Sequence, residues 1–348
     1  MTSSKTKFIL SLDGGGTRGV YTANVLKCLS KYFRQPIHEL FDMVVGTSAG
    51  AMLAAYIGEK HSKEDFDSLF SKKSLETTLD KSLADNVMGI VQFEPVYDGK
   101  GKRKVLEKLF NDLKMGDLKM PVSLVTYNIT KPAPEIFNSH FRCAKEYSVV
   151  DVVDASTAAP MYFPPVEIKQ PVNAVYIDGG AAAYNPSLIA YTEAKKIWPG
   201  ENTRFRILSI GTGYSMVDGK WDNEKVKEWG AIQWLINGIQ DVYIEGPNDL
   251  MMDQTQKLLR CASPYNQLLR LDTGVGKIRL DDASDETLEK MKQLAKQSFT
   301  DHASHLKDFF DVDKRPTRFH NCSHGFEPVE LLKKRVVDGV VNIIAGNN

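Results

Sequence analysis

The chain has 348 residues, of which 42% are hydrophobic and 25% are charged, so it is long enough to bury the core of a large α/β domain. Its 44 basic and 44 acidic side chains give a formal net charge of zero, which argues against a nucleic-acid polymer as a partner. The polar residues 1–7 and the short apolar run after them fit neither a signal peptide nor a membrane span. We therefore predict a cytoplasmic protein, with any membrane contact peripheral.

The first predicted element is a strand over 8–12 that runs directly into a glycine-rich loop, DGGGTRG at 13–19, followed by helical periodicity. Consecutive backbone N–H groups at a helix N-terminus form a concave donor site for an anion. The spacing Gly14-x-Gly16-x-x-Gly19 is also that of a dinucleotide fingerprint in an NAD-type oxidoreductase. That site requires an acidic residue at the end of the next strand, and the next strand ends without one.

The second predicted strand, over 43–45, ends in the motif Gly46-x-Ser48-x-Gly50, and a helix rich in alanine and leucine follows. This spacing lets the chain leave a strand, turn sharply and enter a helix while the central residue takes a strained conformation. Gly46 and Gly50 lack a Cβ, so the backbones around the turn can approach closely. Ser48 is therefore our candidate nucleophile, with the N-terminus of the helix behind it.

The residues up to 213 continue the alternation of strands and helices. We predict an irregular insertion with short helices over 58–101 that covers the site. The elements predicted after it are a helix over 102–113, a strand over 120–130 with a hairpin partner from 135, a helix over 149–159, a strand over 175–177, a helix over 186–198 and a strand over 205–210. This alternation predicts a three-layer α/β/α sandwich around a mainly parallel sheet.

The part of the chain at 214–348 is predicted to be mostly helical, over 229–243, 249–260, 285–310 and 328–345. No internal repeat or low-complexity linker separates it from 7–213, so we predict a single domain over 1–348. The cysteines have no metal-ligand spacing and are predicted to fill core space rather than form bridges; they are Cys28, Cys143, Cys261 and Cys322. No metal site is predicted.

Asp178 lies at the carboxyl end of the predicted strand over 175–177, where catalytic groups gather in open α/β sheets. Two glycines follow it, and Asp-Gly is equally typical of a simple turn. A Ser-His-Asp triad needs a later histidine, and the candidates are His302, His305, His320 and His324. None of them follows a strand, so we favour a dyad of Ser48 and Asp178, in which partial burial raises the pKa of the aspartate and makes it a better base.

The glycine-rich loop has a role opposite a serine nucleophile. The N–H groups of Gly14, Gly15 and Gly16 would form an oxyanion hole that stabilises the charge of a tetrahedral intermediate. Arg18 in the same loop has two functional interpretations: it holds the loop, or it meets a phosphate group of the substrate. A salt bridge at the start of the helix is the structural alternative.

The motifs at 13–19, 46–50 and 178–180, in this order, resemble those of the patatin-like phospholipases. The segment ASTAAP at 155–160 and the strand and glycines at 207–213 are also similar to that family. The resemblance implies an α/β/α sandwich, a Ser–Asp dyad and hydrolysis of fatty acyl esters of phospholipids, without a metal or organic cofactor.

The resemblance also bears on partners. It implies a phospholipid or membrane surface as substrate, and because the family includes enzymes switched on by small nucleotides or proteins, an activator is expected among the partners. Apolar residues near Trp234 and Ile239 are candidates for the wall of an acyl-chain groove, although a buried core explains them equally well. Two other functions stay open, namely a soluble carboxylesterase with a Ser-His-Asp triad and a non-catalytic lipid-binding or storage protein.

Overall fold

The part of the chain that the computed structural model describes comprises residues 5–60, 64–80, 95–214, 223–230, 239–276 and 278–313. At 223 and 239–245 only the backbone is described. These residues contain an eight-stranded sheet. Its strands are β1 Lys5–Leu12, β2 Met43–Thr47, β3 Val122–Asn128, β4 Ala133–Asn138, β5 Val166–Ile168, β6 Ala174–Asp178, β7 Thr203–Ile210 and β8 Gln267–Leu271.

The sheet has the order β5-β6-β3-β2-β1-β7-β8, with β4 also paired to β3. The five strands β3, β2, β1, β7 and β8 are parallel to one another. The short strands β4, β5 and β6 join the sheet on the β3 side through antiparallel pairs, β4 and β6 with β3 and β5 with β6. The parallel part is buried on both faces, as expected for strands covered by helices, and its sequences are accordingly rich in valine, leucine and isoleucine.

Strand β3 brings the carboxyl ends of β2 and β6 together. Strand β4 pairs with β3 continuously over 123–128, so β2 and β6 share the opposite edge. Along that edge β2 runs parallel and ends with Thr47 beside Val125, whereas β6 runs antiparallel and ends with Asp178 beside Thr126. The two strands therefore meet end to end, and the residues that follow them face a common space.

Helices cover both faces of the sheet. They are α1 Gly19–Phe33, α2 Ile37–Leu40, α3 Ala49–Gly58, α4 Phe66–Leu69, α5 Lys72–Thr78, α6 Lys100–Phe110, α7 Val149–Ser156, α8 Gly180–Ala183, α9 Ser187–Ile197, α10 Asn223–Val226, α11 Ile239–Ala262 and α12 Asp285–Phe310. Successive residues of β1 show the layering, because Leu10 packs in a core with α1, α3, α7 and α12, while Ile9 packs in a second core with α9. The predicted α/β/α sandwich with a mainly parallel sheet is confirmed.

Some sequence predictions are wrong in detail. Two strands were not predicted. One is β8, which extends the parallel sheet beside β7 within the segment predicted to be mostly helical, and the other is β5. Cys143 and Cys261 are exposed rather than buried, because Cys143 lies in an exposed turn and Cys261 near the end of α11.

Other predictions fall on residues outside the described ranges. These are Trp234, the side chain of Ile239, Cys322, His320, His324 and the helix over 328–345. The single domain over 1–348 therefore stays a prediction. Among the described residues, no helix combines the length and apolar character needed to cross a membrane.

Candidate active site

Ser48 occupies the sharp turn between β2 and α3. Its backbone has φ 55° and ψ −123°, which is strained for a residue other than glycine. The turn is held from behind, since the Ser48 N–H donates to Oγ of Ser156 at 3.1 Å and that hydroxyl donates to the carbonyl of Val125 at 2.6 Å. The nucleophile candidate is therefore fixed to β3 through α7.

Gly46 and Gly50 allow this turn to close. A Cβ on Gly46 would lie 2.1 Å from the carbonyl oxygen of Gly50, and a Cβ on Gly50 would lie 2.3 Å from that of Leu12. Because both neighbours are backbone atoms, they cannot rotate aside. The elbow around Ser48 thus depends on glycine at both positions.

Asp178 lies opposite Ser48 at the junction of β2 and β6. The Ser48 hydroxyl donates to Oδ2 of Asp178 at 2.7 Å, and the N–H of Gly180 donates to Oδ1 at 2.6 Å. Burial raises the pKa of Asp178 to about 6, while the two hydrogen bonds and the charge of Lys102 act in the opposite direction. A carboxylate with such a pKa is ionised near neutral pH and is a stronger base than an exposed aspartate.

The glycine loop faces the same space, but its N–H groups are not equivalent. The Gly14 N–H donates to the carbonyl of Tyr184 at 3.0 Å, so it is already engaged. Within the described part of the chain, no residue accepts a hydrogen bond from the N–H of Gly15 or Gly16. Both of these glycines line one cavity with Ser48. The structure thus argues against Gly14 as an oxyanion donor and leaves Gly15 and Gly16 available.

The backbone of Gly16 adopts a left-handed conformation that favours glycine, with φ 56°. A Cβ at this position would lie 2.2 Å from the carbonyl oxygen of Leu280. That carbonyl also accepts the N–H of Thr17 at 2.8 Å. The segment at 280 therefore fixes the loop in the conformation in which Gly15 and Gly16 line the cavity.

A buried ion network lies beneath the loop. Nη2 of Arg270 donates to Asp13 at 2.6 Å and to Asp272 at 2.6 Å, and Nη1 donates to Ser209 at 2.8 Å. Burial raises the pKa of Asp13 above its ordinary value, although Arg270 opposes this shift. Asp272 also accepts the N–H of Gly213 at 2.9 Å, so the network ties the start of the glycine loop to the ends of β7 and β8.

Arg18 supports the loop instead of forming the salt bridge considered from sequence. Its Nη2 donates to the hydroxyl of Tyr184 at 2.6 Å, and that hydroxyl lies 3.2 Å from Oγ1 of Thr212, which donates to the carbonyl of Gly14 at 2.7 Å. In the described ranges no carboxylate forms an ion pair with Arg18, and Arg18 is not among the cavity-lining residues. Its contacts favour loop support over a phosphate contact.

The cavity has a volume of about 220 Å³ and is mostly apolar. Ser48, Asp178, Gly15 and Gly16 line it together. Much of the apolar wall comes from α4, α5 and α6, with the side chains Leu69, Phe70, Leu75, Leu79, Val105 and Leu106. The described part of the predicted insertion thus contributes a wall of the site.

The histidines do not complete a triad in the described residues. Nδ1 of His302 lies 2.8 Å from the carbonyl oxygen of Ser298 on the same helix, α12. Neither His302 nor His305 lines the cavity. In the ranges that the structure covers, no group of three or more histidine, cysteine, aspartate or glutamate side chains has a metal-binding arrangement.

Known proteins resemble this chain. The family model described as patatin-like phospholipase matches residues 10–191. Patatin-like protein 1 of Arabidopsis thaliana is 26% identical over 346 residues, covering 86% of this chain and 82% of that protein. The cGAMP-activated phospholipase of Pseudomonas aeruginosa is 33% identical over 217 residues, covering 61% of this chain and 64% of that protein. Among solved structures, VipD from Legionella pneumophila aligns with a TM-score of 0.40 at 16% identity, covering 85% of this chain and 67% of that chain.

Proposed function

The chain belongs to the patatin-like phospholipase family, and we propose that it hydrolyses fatty acyl esters of phospholipids with Ser48 as nucleophile and Asp178 as general base. The observation that carries this proposal is the 2.7 Å hydrogen bond from Oγ of Ser48 to Oδ2 of Asp178 in a mostly apolar cavity. The serine supplies the attacking atom, the carboxylate accepts its proton, and the apolar side chains that line the cavity suit an acyl chain.

In the first step Oγ of Ser48 attacks the ester carbonyl carbon while Oδ2 of Asp178 takes the hydroxyl proton. The carbonyl oxygen becomes an oxyanion, and the N–H groups of Gly15 and Gly16 donate to it. The carbon–oxygen bond to the lysolipid then breaks, and the leaving oxygen takes the proton from Asp178. The product is an acyl ester on Ser48.

The second step releases the fatty acid. Asp178 takes a proton from a water molecule as the water oxygen attacks the acyl carbon, and the same two N–H groups stabilise the new oxyanion. The bond to Oγ of Ser48 breaks, and Ser48 recovers its proton from Asp178. These steps use only groups of the chain and water.

The partners follow from the same proposal. The substrate is a phospholipid presented at a membrane surface. The name of the Pseudomonas aeruginosa relative, a cGAMP-activated phospholipase, supports a small-molecule activator. Activity is therefore to be measured with and without a cyclic dinucleotide.

The test compares the purified wild type with Ser48→Ala on phosphatidylcholine vesicles, with lipid products identified by mass spectrometry. We expect fatty acid and lysolipid only with the wild type, and labelling of Ser48 by a fluorophosphonate. Equal product levels from both proteins would overturn the proposal. Substituting His302, His305, His320 or His324 by alanine tests the triad alternative, which requires a large loss from one of them.

A further inference from the structure

Lys102 is a buried lysine beside the proposed dyad that none of the proposed steps uses. It lies on α6, its residue is 5% exposed, and it lines the cavity together with Ser48 and Asp178. Transferring an ammonium group into a mostly apolar site is unfavourable unless charged or polar groups compensate for it. The contacts of this side chain therefore require an explanation.

The compensating groups form a chain of alternating charge. Nζ of Lys102 donates to the carbonyl oxygen of Asp154 at 2.9 Å, lies 3.0 Å from Oδ1 of Asp154, and is 4.5 Å from the ring centroid of Phe163. The other carboxylate oxygen of Asp154 is 3.5 Å from Arg103, which in turn pairs with Asp151 at 2.6 Å. These contacts favour the ammonium form of Lys102, whereas burial lowers its pKa.

The partner of Lys102 belongs to the segment that positions the dyad. Two residues after Asp154, the hydroxyl of Ser156 accepts the N–H of Ser48, and the carbonyl of Ala158 accepts the N–H of Asp178 at 3.0 Å. Lys102 is thereby anchored to the same rigid segment as both proposed catalytic groups.

Few other charges face the Asp178 carboxylate. Ser48 and the N–H of Gly180 contact it directly, from the β2–α3 turn and from α8, and the charge of Lys102 acts on it from α6. The remaining ionisable side chains that line the described cavity are Tyr162, Tyr184 and Asp281.

These three side chains do not balance the charge of Asp178. Burial raises the pKa of both tyrosines, so they are neutral near pH 7. Asp281 is an anion held by Arg279 at 2.8 Å and by the hydroxyl of Tyr97 at 2.9 Å. Among the described residues that line the cavity, Lys102 is therefore the one with a cationic side chain.

We propose that Lys102 is a positioning residue that acts as a buried counter-charge and keeps Asp178 ionised in the resting enzyme. This inference rests on the proposed function. The positive charge of Lys102 offsets part of the effect that burial has on Asp178. When this cation is removed, the buried carboxylate binds its proton more tightly. Lys102 would thus set the lowest pH at which the base is active.

The test is the pH dependence of kcat/KM for an uncharged, water-soluble short-chain ester, measured for the wild type and Lys102→Met. We expect the acid limb of the variant to move to higher pH by about one unit, which corresponds to a roughly ten-fold lower kcat/KM on that limb. The plateau value of kcat/KM should change little. Lys102→Arg should restore the limb. The matched control is Lys100→Met on the same helix, whose lysine side chain is 87% exposed, and this variant should keep the wild-type limb.

A purely structural role for Lys102 predicts a different result, namely lower thermal stability and a lower plateau with the acid limb unchanged. That outcome would overturn the inference. If Lys102→Met does not fold, Lys102→Met combined with Asp154→Asn removes both members of the buried pair, and the limb should still move upward. A wild type without Ser48-dependent hydrolysis would instead contradict the proposed function.

Discussion

Ser48 donates a hydrogen bond to Asp178 across 130 positions of sequence, because the two strands that precede these residues end head to head along one edge of β3. Neither side chain depends on a long loop for its position. The register of three paired strands fixes the separation of the two groups, and α7 fixes the backbone around both. Sites built on strand ends in this way hold their geometry more accurately than sites on free loops.

The pH dependence of the wild type follows from the burial of Asp178. The carboxylate must be ionised to accept the Ser48 proton, and burial raises its pKa to about 6. We therefore expect kcat/KM for a neutral ester to fall about ten-fold per pH unit below roughly pH 6 and to be level above it. A profile that stays level down to pH 4.5 would contradict the role of Asp178 as the base.

The stability of the wild type relative to Asp178→Asn should depend on pH, because only the wild type has a titrating carboxyl group at this position. Because the folded-state pKa of Asp178 is raised from 3.8 to about 6, the folded protein binds the proton more tightly than the unfolded chain. The corresponding stability is present below pH 4 and is lost as the pH rises through about 6, by an amount on the order of 2–3 kcal/mol.

Asp178→Asn has no carboxyl group to ionise at this position, so it does not lose stability as the pH rises through about 6. At pH 8 we therefore expect Asp178→Asn to have a higher free energy of unfolding than the wild type, by about 2–3 kcal/mol. At pH 4 the two proteins should agree. Urea unfolding at both pH values measures the difference, and a variant that is less stable than the wild type at pH 8 would show that ionised Asp178 is not a net destabilising group.

The conformation of the glycine loop is tested at Gly16. Gly16→Ala places a methyl group 2.2 Å from the carbonyl oxygen of Leu280 and adds strain at φ 56°, so the loop must move. Displacing the proposed oxyanion donors, the N–H groups of Gly15 and Gly16, should lower kcat by about 10²-fold or more. The control is Gly276→Ala, which has a similar φ of 73° but no atom closer than 3.9 Å to the new Cβ, and it should lower stability slightly while kcat is retained.

The cavity wall provides a test of acyl-chain length. Thr78 lies at the end of α5 and lines the cavity, so Thr78→Trp should fill space that a long chain needs. We expect kcat/KM to fall at least ten-fold for long-chain p-nitrophenyl esters and to change little for the acetate ester. Glu76→Trp, at an exposed position of the same helix, is the matched control and should leave the chain-length profile unchanged.

The sequence predicted much of this arrangement because the informative residues lie at strand ends. Hydrophobic periodicity located the ends of β2 and β6 to within two residues. Ser48 comes immediately after β2 and Asp178 is the last residue of β6, so both candidates were found from these strand ends. The Gly-x-Ser-x-Gly spacing predicted the sharp turn at Ser48, because the close approach of backbone atoms leaves no space for a side chain at Gly46 or Gly50. Local chemistry was enough at these positions.

Other features depend on contacts that no local pattern encodes. The Gly14 N–H is engaged by the backbone carbonyl of Tyr184, which carries no side-chain signature. Lys102 lies in the lysine-rich run KGKRK, which is typical of a solvated helix face, yet its side chain is buried. Arg270 was overlooked because no strand was predicted between the helices over 249–260 and 285–310, although a lone arginine between leucines was a signal for a buried ion pair.

Arg270 itself gives a final prediction, because it neutralises two buried carboxylates with one guanidinium. Arg270→Met leaves Asp13 and Asp272 without the cation that both contact at 2.6 Å, and removing one partner from a buried ion pair costs about 3–5 kcal/mol. We expect a large fall in the melting temperature at pH 8 that becomes smaller towards pH 4, because burial raises the pKa of Asp13 and this carboxylate accepts a proton as the pH falls. Arg204→Met, which removes a partly exposed arginine from β7, should change the melting temperature much less. Equal losses from both variants would mean that the network beneath the glycine loop contributes no more than ordinary surface packing.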